Sequence, residues 1–357
     1  MQNYKAKFKI DGIKAGEILD SRGQATVEVR MKAEGRETLA SIPSGTSVGK
    51  YEAPVLKTEK AVLKINQLAS LIIKKKFSSQ SEFDQYLKDR TRFANVSLPL
   101  SIAFSRAFRT LPRPSKRKMP RLMILAFEGG VHSNSSLQIQ EFLMVAESVK
   151  EGLRFYQKLK QTLEKKGIDT DVGLEGGFAP NNLSDSQALE ILRSVLPVKT
   201  KIGLDFGGSY YRGSRSSLAE LMKRFSVFAI EDPFSEDDLK NWRDFYQKYG
   251  RERLVIGDDL VVTNIGRLKM ALKPKLINAV IVKPNQIGTV SETLDFICEA
   301  KQNELAIIIS HRSGETNDSF IAELALAVGA DFVKFGGLAR GERIAKYNRL
   351  TELDKKG

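Results

Sequence analysis

Six short apolar segments recur at nearly equal intervals along the second half of the chain, and each ends at or beside a charged residue. The intervals between these charged residues are 26, 27, 25, 28 and 23 residues, the length of one strand and one helix. Apolar strands separated by helices indicate a parallel sheet buried on both faces. Equal, consecutive units favour a closed (β/α)8-type barrel over a doubly wound sheet. The segments are 201–204, 227–230, 254–257, 279–282, 306–309 and 332–333.

The charged residues lie where barrel enzymes place their active sites, at the carboxyl ends of the strands. In chain order they are Asp205, Glu231, Asp258, Lys283, His311 and Lys334. Ordinary solvated strand ends would explain one or two of them, but not six in this order. The three carboxylates select magnesium or manganese rather than zinc or copper, because hard oxygen ligands match a hard cation.

The remaining residues of this set predict acid–base chemistry on an anionic substrate. A buried lysine held among other cations, such as Lys283, can titrate near neutral pH and act as a base. Arg312 and Ser313 follow His311 and suit a phosphate or a carboxylate. Together with a metal ion, the set predicts abstraction of a weakly acidic proton beside a carboxylate, with the metal stabilising the enediolate.

The first part of the chain has a different pattern, typical of an α+β domain. Apolar and polar residues alternate over 25–31, a turn follows at 34–36, and 38–43 is again apolar, which predicts a hairpin. Helical spacing follows over 58–76 and 96–110. The strands therefore come first and the helices after them.

The positive charge of the chain is concentrated in this first part. The formal net charge is +14, and residues 1–125 hold 25 Lys and Arg against 11 Asp and Glu, whereas the remainder is neutral. The basic, proline-containing stretch 106–121 interrupts both periodicities, so we expect a linker there. It would join an N-terminal α+β capping domain over 1–117 to a catalytic barrel domain over 118–357. The basic segment lacks interleaved aromatic residues and any RNA-binding module, which argues against nucleic-acid binding as the function.

Cysteine usage and the absence of targeting signals favour a soluble cytoplasmic protein. The one cysteine, Cys298, cannot form an intramolecular disulfide or a cysteine-based metal site, and we expect it to be an inert core residue of a helix. The N-terminal residues lack the pattern of a signal peptide, and no apolar run is long enough to span a bilayer.

Eight motifs, in one order, resemble the enolase family over nearly the whole chain. They are EILDSRG at 17–23, PSGTS at 43–47, EGGFAPN at 175–181, IEDPF at 230–234, GDDL at 257–260, KPNQIG at 283–288, SHRSGET at 310–316 and RGERIAKYN at 340–348. The resemblance implies a shortened and divergent member with an enolase-type barrel. Its activity would be that of an Mg²⁺-dependent lyase of glycolysis and gluconeogenesis, with two magnesium ions per active site, interconverting 2-phosphoglycerate and phosphoenolpyruvate.

The resemblance also implies a role for each matching residue. The catalytic set is Lys283 as the base, Glu175 as the general acid, Glu141 as its helper, His132 on a closing loop, and His311. The substrate-binding set is Ser47, Gln140, Arg312, Ser313 and Lys334. The metal set is Asp205, Glu231 and Asp258 for one magnesium ion, and Ser47 for the second. The chain has only two histidines, and both lie in matched motifs, which favours functional roles for them.

Departures from the family pattern leave alternatives open. Val48, Leu174 and the stretch 132–135 differ from the family at or near both closing loops, which affects the expected rate more than the type of reaction. Gly16 replaces a common arginine, and with the short C-terminus it leaves the expected homodimer open. One alternative is a superfamily enzyme acting on another carboxylate. The other is a catalytically weakened relative that binds nucleic acid or a surface through its basic N-terminal domain.

Overall fold

The protein is described by a computed structural model, which covers residues 8–45, 49–113, 118–208, 210–211 and 215–355. For His132 and residues 215–217 it describes the backbone only. Ser47 and Val48 lie outside the described residues, as do residues 114–117 of the basic stretch 106–121.

The N-terminal part is an α+β unit, as predicted. Its strands are β1 (Phe8–Lys9), β2 (Gly12–Leu19), β3 (Ala25–Ala33), β4 (Arg36–Ser41) and β5 (Lys76–Phe77), and its helices are α1 (Thr58–Ile72), α2 (Gln80–Lys88) and α3 (Ala94–Phe108). Strands β2, β3 and β4 form an antiparallel sheet, and β1 pairs with β5. The predicted hairpin is β3–β4, whose turn residues Glu34 and Gly35 both have positive φ, 50° and 71°. That turn matches the twist of the two strands.

The second part is a closed barrel of eight strands, which confirms the predicted fold class. Its strands are β6 (Arg121–Glu128), β7 (Glu141–Ala146), β8 (Ile202–Asp205), β9 (Val227–Glu231), β10 (Leu254–Gly257), β11 (Ala279–Val282), β12 (Ala306–Ser310) and β13 (Phe332–Lys334). The six predicted segments are β8 to β13, each within one residue of the predicted bounds. Alternate side chains of the strands, among them Met123, Leu143, Ile256, Ile281 and Phe332, fill the interior of the barrel.

The helices of the second part surround this barrel. They are α4 (Val149–Lys165), α5 (Asp185–Val195), α6 (Arg215–Arg224), α7 (Leu239–Tyr249), α8 (Ile265–Leu272), α9 (Val290–Gln302), α10 (Phe320–Ala327) and α11 (Gly341–Asp354). Several begin at a side-chain cap: the Ser148 hydroxyl accepts the amide hydrogen of Glu151, and Thr289 caps α9 in the same way. Such caps satisfy amides that the first helical turn leaves unpaired. None of the described helices is both long and apolar enough to cross a membrane.

One strand of the barrel runs against its neighbours. Strand β7 is antiparallel to both β6 and β8, with Glu141 opposite Glu128 on one side and Asp205 on the other. The first residue of β7 therefore lies at the same end of the barrel as the last residues of the parallel strands. This reversal brings Glu141 to the end where parallel barrels place their chemistry.

The two parts of the chain meet at the segment that follows β12. Ser44 and Gly314 exchange two backbone hydrogen bonds of 2.8 and 2.9 Å, and the Ser21 amide donates to the carbonyl of Glu315 at 2.7 Å. Arg106 forms two hydrogen bonds to the Asp318 carboxylate, at 2.7 and 2.8 Å. The N-terminal sheet and helix α3 thus hold one side of the barrel mouth.

Three details differ from the sequence predictions. The helix predicted over 58–76 ends at Ile72 and is followed by strand β5, so the strands do not all precede the helices. Helix α3 continues to Phe108, and strand β6 already begins at Arg121, so the connection between them is shorter than the predicted linker over 106–121. The prediction for Cys298 was wrong, because its side chain is exposed on α9. The buried face of that helix uses other positions, among them Phe296 and Ile297.

Candidate active site

A polar cleft opens at the carboxyl end of the barrel and collects most of the predicted site residues. Those that line it are Gln140, Glu141, Glu175, Asp205, Asp258, Lys283, His311, Arg312, Ser313 and Lys334. Glu231 is buried and in contact with Lys334, which lines the cleft. Ser47 lies outside the described residues, and the side chain of His132 is not described. The cleft therefore brings together residues from seven strand ends and from the turn around Glu175.

Lys334, at the end of β13, is the centre of the acidic part of the cleft. Its Nζ lies 2.7 Å from a Glu231 carboxylate oxygen, 3.0 Å from Glu141 and 3.1 Å from Asp205. All four side chains are almost fully buried. Burial alone would lower the pKa of Lys334, but the three carboxylates raise it well above its ordinary value. Lys334 is therefore a permanent cation among buried carboxylates.

Lys283, at the end of β11, forms a close ion pair with Asp258 across the same cleft. Burial would lower the pKa of Lys283, but Asp258 raises it, against the opposing charges of Arg312 and Lys334. The net direction is upward, opposite to the near-neutral titration that the sequence predicted. The difference arises because the sequence could not show how close Asp258 comes to the amine.

The carboxyl groups that line the cleft outnumber its lysines. Burial raises the pKa of Glu231 well above its ordinary value, and the charge of Asp205 adds to this effect. Burial also raises the pKa of Glu141, to which Glu175 and Asp205 contribute further. An additional cation in this region would relieve the repulsion.

The acidic clusters of the cleft are compatible with a divalent cation, although the predicted set of Asp205, Glu231 and Asp258 is not one of the two groups whose ligand atoms lie closest together in the described residues. Asp205, Glu231 and Asp258 offer only carboxylate oxygens, from three adjacent strands, β8 to β10. Magnesium binds through such oxygens and retains several water molecules, so it does not need a closed protein cage. In the described part of the chain, two groups have potential ligand atoms that all lie within 4.8 Å of one another. They are Asp232, Asp258 and Asp259, and Glu141, Glu175 and His311.

Asp232, at the end of β9, holds the backbone that follows β10. Its two carboxylate oxygens accept the amide hydrogens of Asp258, at 3.0 Å, and of Asp259, at 2.8 Å. Burial, with the nearby charges of Asp259 and Asp258, raises the pKa of Asp232 well above its ordinary value. Asp232 was not predicted as a site residue, although it directly follows Glu231 in the motif at 230–234.

Glu175 lies in a tight turn that is built around another buried carboxyl group, that of Glu128. Glu128 is 0% exposed at the end of β6, and its two oxygens lie 2.9 and 3.1 Å from the Glu175 amide nitrogen. One of them also accepts the amide hydrogen of Gly177 at 3.1 Å. A Cβ atom at Gly173 would lie only 2.5 Å from the Glu128 carboxyl carbon, so the turn can close only over glycine.

Arg312 is held by a residue of the N-terminal part, Glu52. The guanidinium and the Glu52 carboxylate form two hydrogen bonds, of 3.0 and 3.1 Å, and Asn285 accepts a third at 3.0 Å. Glu52 also accepts the amide hydrogen of Gly49, next to the segment that contains Ser47. A bidentate carboxylate partner orients the planar guanidinium strongly. Glu52 was not predicted, because its position in the sequence does not reveal its partner 260 residues away.

The fold and the cleft define a class of barrel protein in which an α+β unit holds one side of the mouth and lysines and carboxylates line a polar cleft at the carboxyl ends of the strands. A family profile described as the enolase N-terminal domain matches residues 10–110. Another, described as the enolase C-terminal TIM barrel domain, matches residues 116–217 and 215–356. The chain belongs to the enolase family. At this level it is a lyase-type enzyme of the enolase superfamily, with acidic clusters compatible with divalent metal binding.

The buried environment of Glu128 is expected to make the free energy of unfolding depend on pH. Burial and the charge of Glu175 raise the pKa of Glu128 to about 8. The folded chain therefore binds this proton more tightly than the unfolded chain does, and the associated stability is complete below about pH 4.5. It is lost as the pH rises towards 8, by at most about 1.4 kcal/mol per pH unit.

In Glu128→Gln this contribution is removed, because an amide does not titrate. Urea unfolding between pH 5 and 8 should show a flatter pH dependence for the variant than for the wild type. Glu164→Gln is a matched control, since the Glu164 side chain is 53% exposed near the end of α4. Parallel pH curves for the wild type and Glu128→Gln would contradict the raised pKa.

Proposed function

We propose that this chain is an Mg²⁺-dependent enolase, a phosphopyruvate hydratase that interconverts 2-phosphoglycerate and phosphoenolpyruvate. The observation that carries the proposal is that a partly buried lysine, a pair of buried carboxyl groups and a fixed arginine line the same cleft. Proton abstraction, loss of hydroxide and phosphate binding each need one of these groups.

Lys283 is the proposed base. Its amine takes the proton from the carbon that bears the phosphate, and the electron pair of that C–H bond passes into the substrate carboxylate to form an enediolate. The amine must be neutral to accept a proton, so the ion pair with Asp258 has to weaken when substrate and metal occupy the cleft. In the reverse direction the protonated amine returns the proton to the carbon.

Glu175 is the proposed general acid. It gives its proton to the hydroxyl group that leaves, so the C–O bond breaks and water forms rather than hydroxide. A neighbouring buried carboxyl group favours retention of a proton, because two carboxylates in a dry site repel each other. Glu141 supplies that neighbour, and its own pKa is raised by burial and by Glu175.

The substrate anions would be bound by the cationic side of the cleft. Arg312, oriented by Glu52, and Ser313 would bind the phosphate, and Lys334 the carboxylate. Gln140 lies at the edge of the cleft, where its amide donates to Asp205 at 3.2 Å. Ser47 and His132 are proposed to act from the two closing loops. Closure would exclude water while the enediolate exists.

Asp205, Glu231 and Asp258 are the proposed ligands of the first magnesium ion, and Ser47 of the second. When bound, magnesium would stabilise the negative charge that develops on the substrate carboxylate. The excess of carboxyl groups over lysines in the cleft, together with the effect of the Asp205 charge on the pKa of Glu231, supports this assignment.

The decisive test is formation of phosphoenolpyruvate from 2-phosphoglycerate by the purified protein, followed by absorbance. We expect turnover with Mg²⁺, none with EDTA, and recovery when Mg²⁺ is restored in excess. A panel of phosphorylated and unphosphorylated 2-hydroxy acids tests the alternative of another carboxylate substrate. Turnover of an unphosphorylated acid, with none of 2-phosphoglycerate, would contradict the proposal.

The remaining expectations concern the cellular role, the oligomeric state and the domain boundary. The cytoplasmic location, the place in glycolysis, the homodimer and the domain boundary at 117 and 118 stay predictions. So does the alternative of binding through the basic N-terminal domain. That alternative predicts salt-sensitive RNA binding that survives replacement of Asp205 and Glu231, because phosphate contacts dominate such affinity.

A further inference from the structure

A buried arginine of the last helix lies directly behind the catalytic cleft. Arg343, on α11, is 0% exposed, its two terminal nitrogens reach four groups, and its Nε lies 3.4 Å from the Glu342 carboxylate. One terminal nitrogen lies 2.6 Å from Nδ1 of His311 and 2.6 Å from the Arg312 carbonyl oxygen. The other donates to the carbonyl oxygens of Ser313, at 2.6 Å, and Leu174, at 3.1 Å. The arginine thereby joins the segment after β12 to the turn that carries Glu175.

The contact with His311 determines which ring nitrogen carries the proton. A guanidinium has only N–H donors and stays protonated in proteins, so Nδ1 of His311 must be the acceptor. A neutral imidazole with an accepting Nδ1 has its hydrogen on Nε2. A doubly protonated ring would direct an N–H at the arginine, which this contact does not allow.

The opposite edge of the imidazole ring, which carries Nε2, is directed at Glu175, the proposed general acid. Nε2 of His311 lies 3.4 Å from a carboxyl oxygen of Glu175. The charged groups around the ring are Glu175, Arg343, Lys334 and Lys283. Burial lowers the pKa of His311 well below its ordinary value, and the three cations add to this effect while Glu175 opposes it. The ring is therefore neutral, with its one N–H on the side of Glu175.

We propose that Arg343 is a positioning residue that holds His311 as the neutral Nε2–H tautomer, so that His311 donates to Glu175. The N–H would stabilise the Glu175 carboxylate as its proton leaves. The same tautomer excludes His311 as a metal ligand through Nε2, since a protonated nitrogen has no lone pair to offer. The cluster of Glu141, Glu175 and His311 is thus a proton-handling site rather than a metal site.

The tautomer can be measured directly, because the chain has only two histidines. Protein labelled with ¹⁵N-histidine is studied by long-range ¹H–¹⁵N correlation at neutral pH, and a His132→Asn variant identifies the signals of His311. We expect a pyridine-like Nδ1 and a pyrrole-like Nε2 for His311, without and with Mg²⁺. The opposite tautomer, an imidazolium, or loss of the pyrrole-like Nε2 on addition of Mg²⁺ would overturn the proposal.

Variants then test whether Arg343 is the cause. Arg343→Met removes every donor, so we expect the His311 spectrum to show more than one tautomer. We also expect kcat to fall about 10- to 100-fold, with a smaller change in KM, because a slightly misplaced catalytic group costs up to about 10²-fold. Arg343→Lys keeps a cationic nitrogen that can donate to Nδ1 of His311, and it should restore much of both the spectrum and kcat. Arg349→Gln is the matched control on the same helix, where Arg349 pairs with Glu323 and Glu352, and its His311 spectrum should match the wild type.

The outcomes distinguish this inference from the proposed function. The assignment of the tautomer does not depend on the proposed function, and only the expected effect on kcat rests on it. If Arg343→Met does not fold, the wild-type and Arg343→Lys spectra still decide the tautomer. An unchanged His311 spectrum in a folded Arg343→Met would overturn the role of Arg343. The expected tautomer in a protein that does not convert 2-phosphoglycerate would contradict the proposed function and leave the assignment of the tautomer standing.

Discussion

Replacing Lys283 by Ala is expected to slow exchange of the substrate's abstracted proton by a factor of about 10² to 10⁴, the range by which a positioned base accelerates proton transfer. The reason is that the proposed mechanism has no other base at the end of β11. Substrate binding should be largely retained, because Arg312, Ser313 and Lys334 are unchanged. The measurement is loss of deuterium from 2-deuterated 2-phosphoglycerate, followed by ¹H NMR with Mg²⁺ present.

A second lysine provides the control for this experiment. Lys269 lies on α8 with an exposed side chain 3.9 Å from Glu299, and Lys269→Ala should exchange deuterium at the wild-type rate. Exchange that proceeds normally in Lys283→Ala would remove Lys283 as the base. Weak binding of the product to the same variant would instead indicate that Lys283 mainly binds substrate.

Replacing Lys334 by Met is expected to destabilise the metal-free protein by about 3–5 kcal/mol. Lys334 neutralises Glu141, Asp205 and Glu231 in a buried site, and removing one partner of a buried ion pair leaves uncompensated charge. Mg²⁺ should recover part of this loss, because a ligand that binds only the folded state stabilises it. Urea unfolding in EDTA and in Mg²⁺ measures both effects.

An exposed ion pair serves as the comparison. Lys88 and Glu292 lie 2.6 Å apart with 44% and 26% of their side chains exposed, so Lys88→Met should cost about 1 kcal/mol or less. Its stability should respond to Mg²⁺ as the wild type does. Equal losses of unfolding free energy in Lys334→Met and Lys88→Met would contradict the idea that Lys334 neutralises buried carboxylates. A Lys334→Met variant whose stability does not change with Mg²⁺ would contradict the idea that these carboxylates can bind a metal ion.

The barrel was predictable because its signal repeats. Each strand from β8 to β13 is a short apolar run with a polar end, and six such units leave little choice of fold. Strand β7 could not be found in this way, since it runs in the opposite direction and offers its first residue, Glu141, to the cleft. Glu141 was predicted only through the family resemblance.

The parts of the site that escaped prediction depend on distant contacts. Glu52 meets Arg312 across 260 residues of sequence, and Glu128 meets the backbone of Glu175 rather than a side chain. Neither contact leaves a periodic pattern. The direction of the Lys283 pKa shift also depends on a distance, that to Asp258, which no sequence pattern encodes.

The backbone pairing of Ser44 with Gly314 limits how this enzyme could acquire a new substrate. The segment that supplies Arg312 and Ser313 has to fit the barrel on one side and the N-terminal sheet on the other. A change that reshapes it for a different anionic group must therefore be tolerated by two folding units at once. Laboratory evolution of new specificity should find fewer acceptable variants in this segment than among the loops that touch the barrel alone.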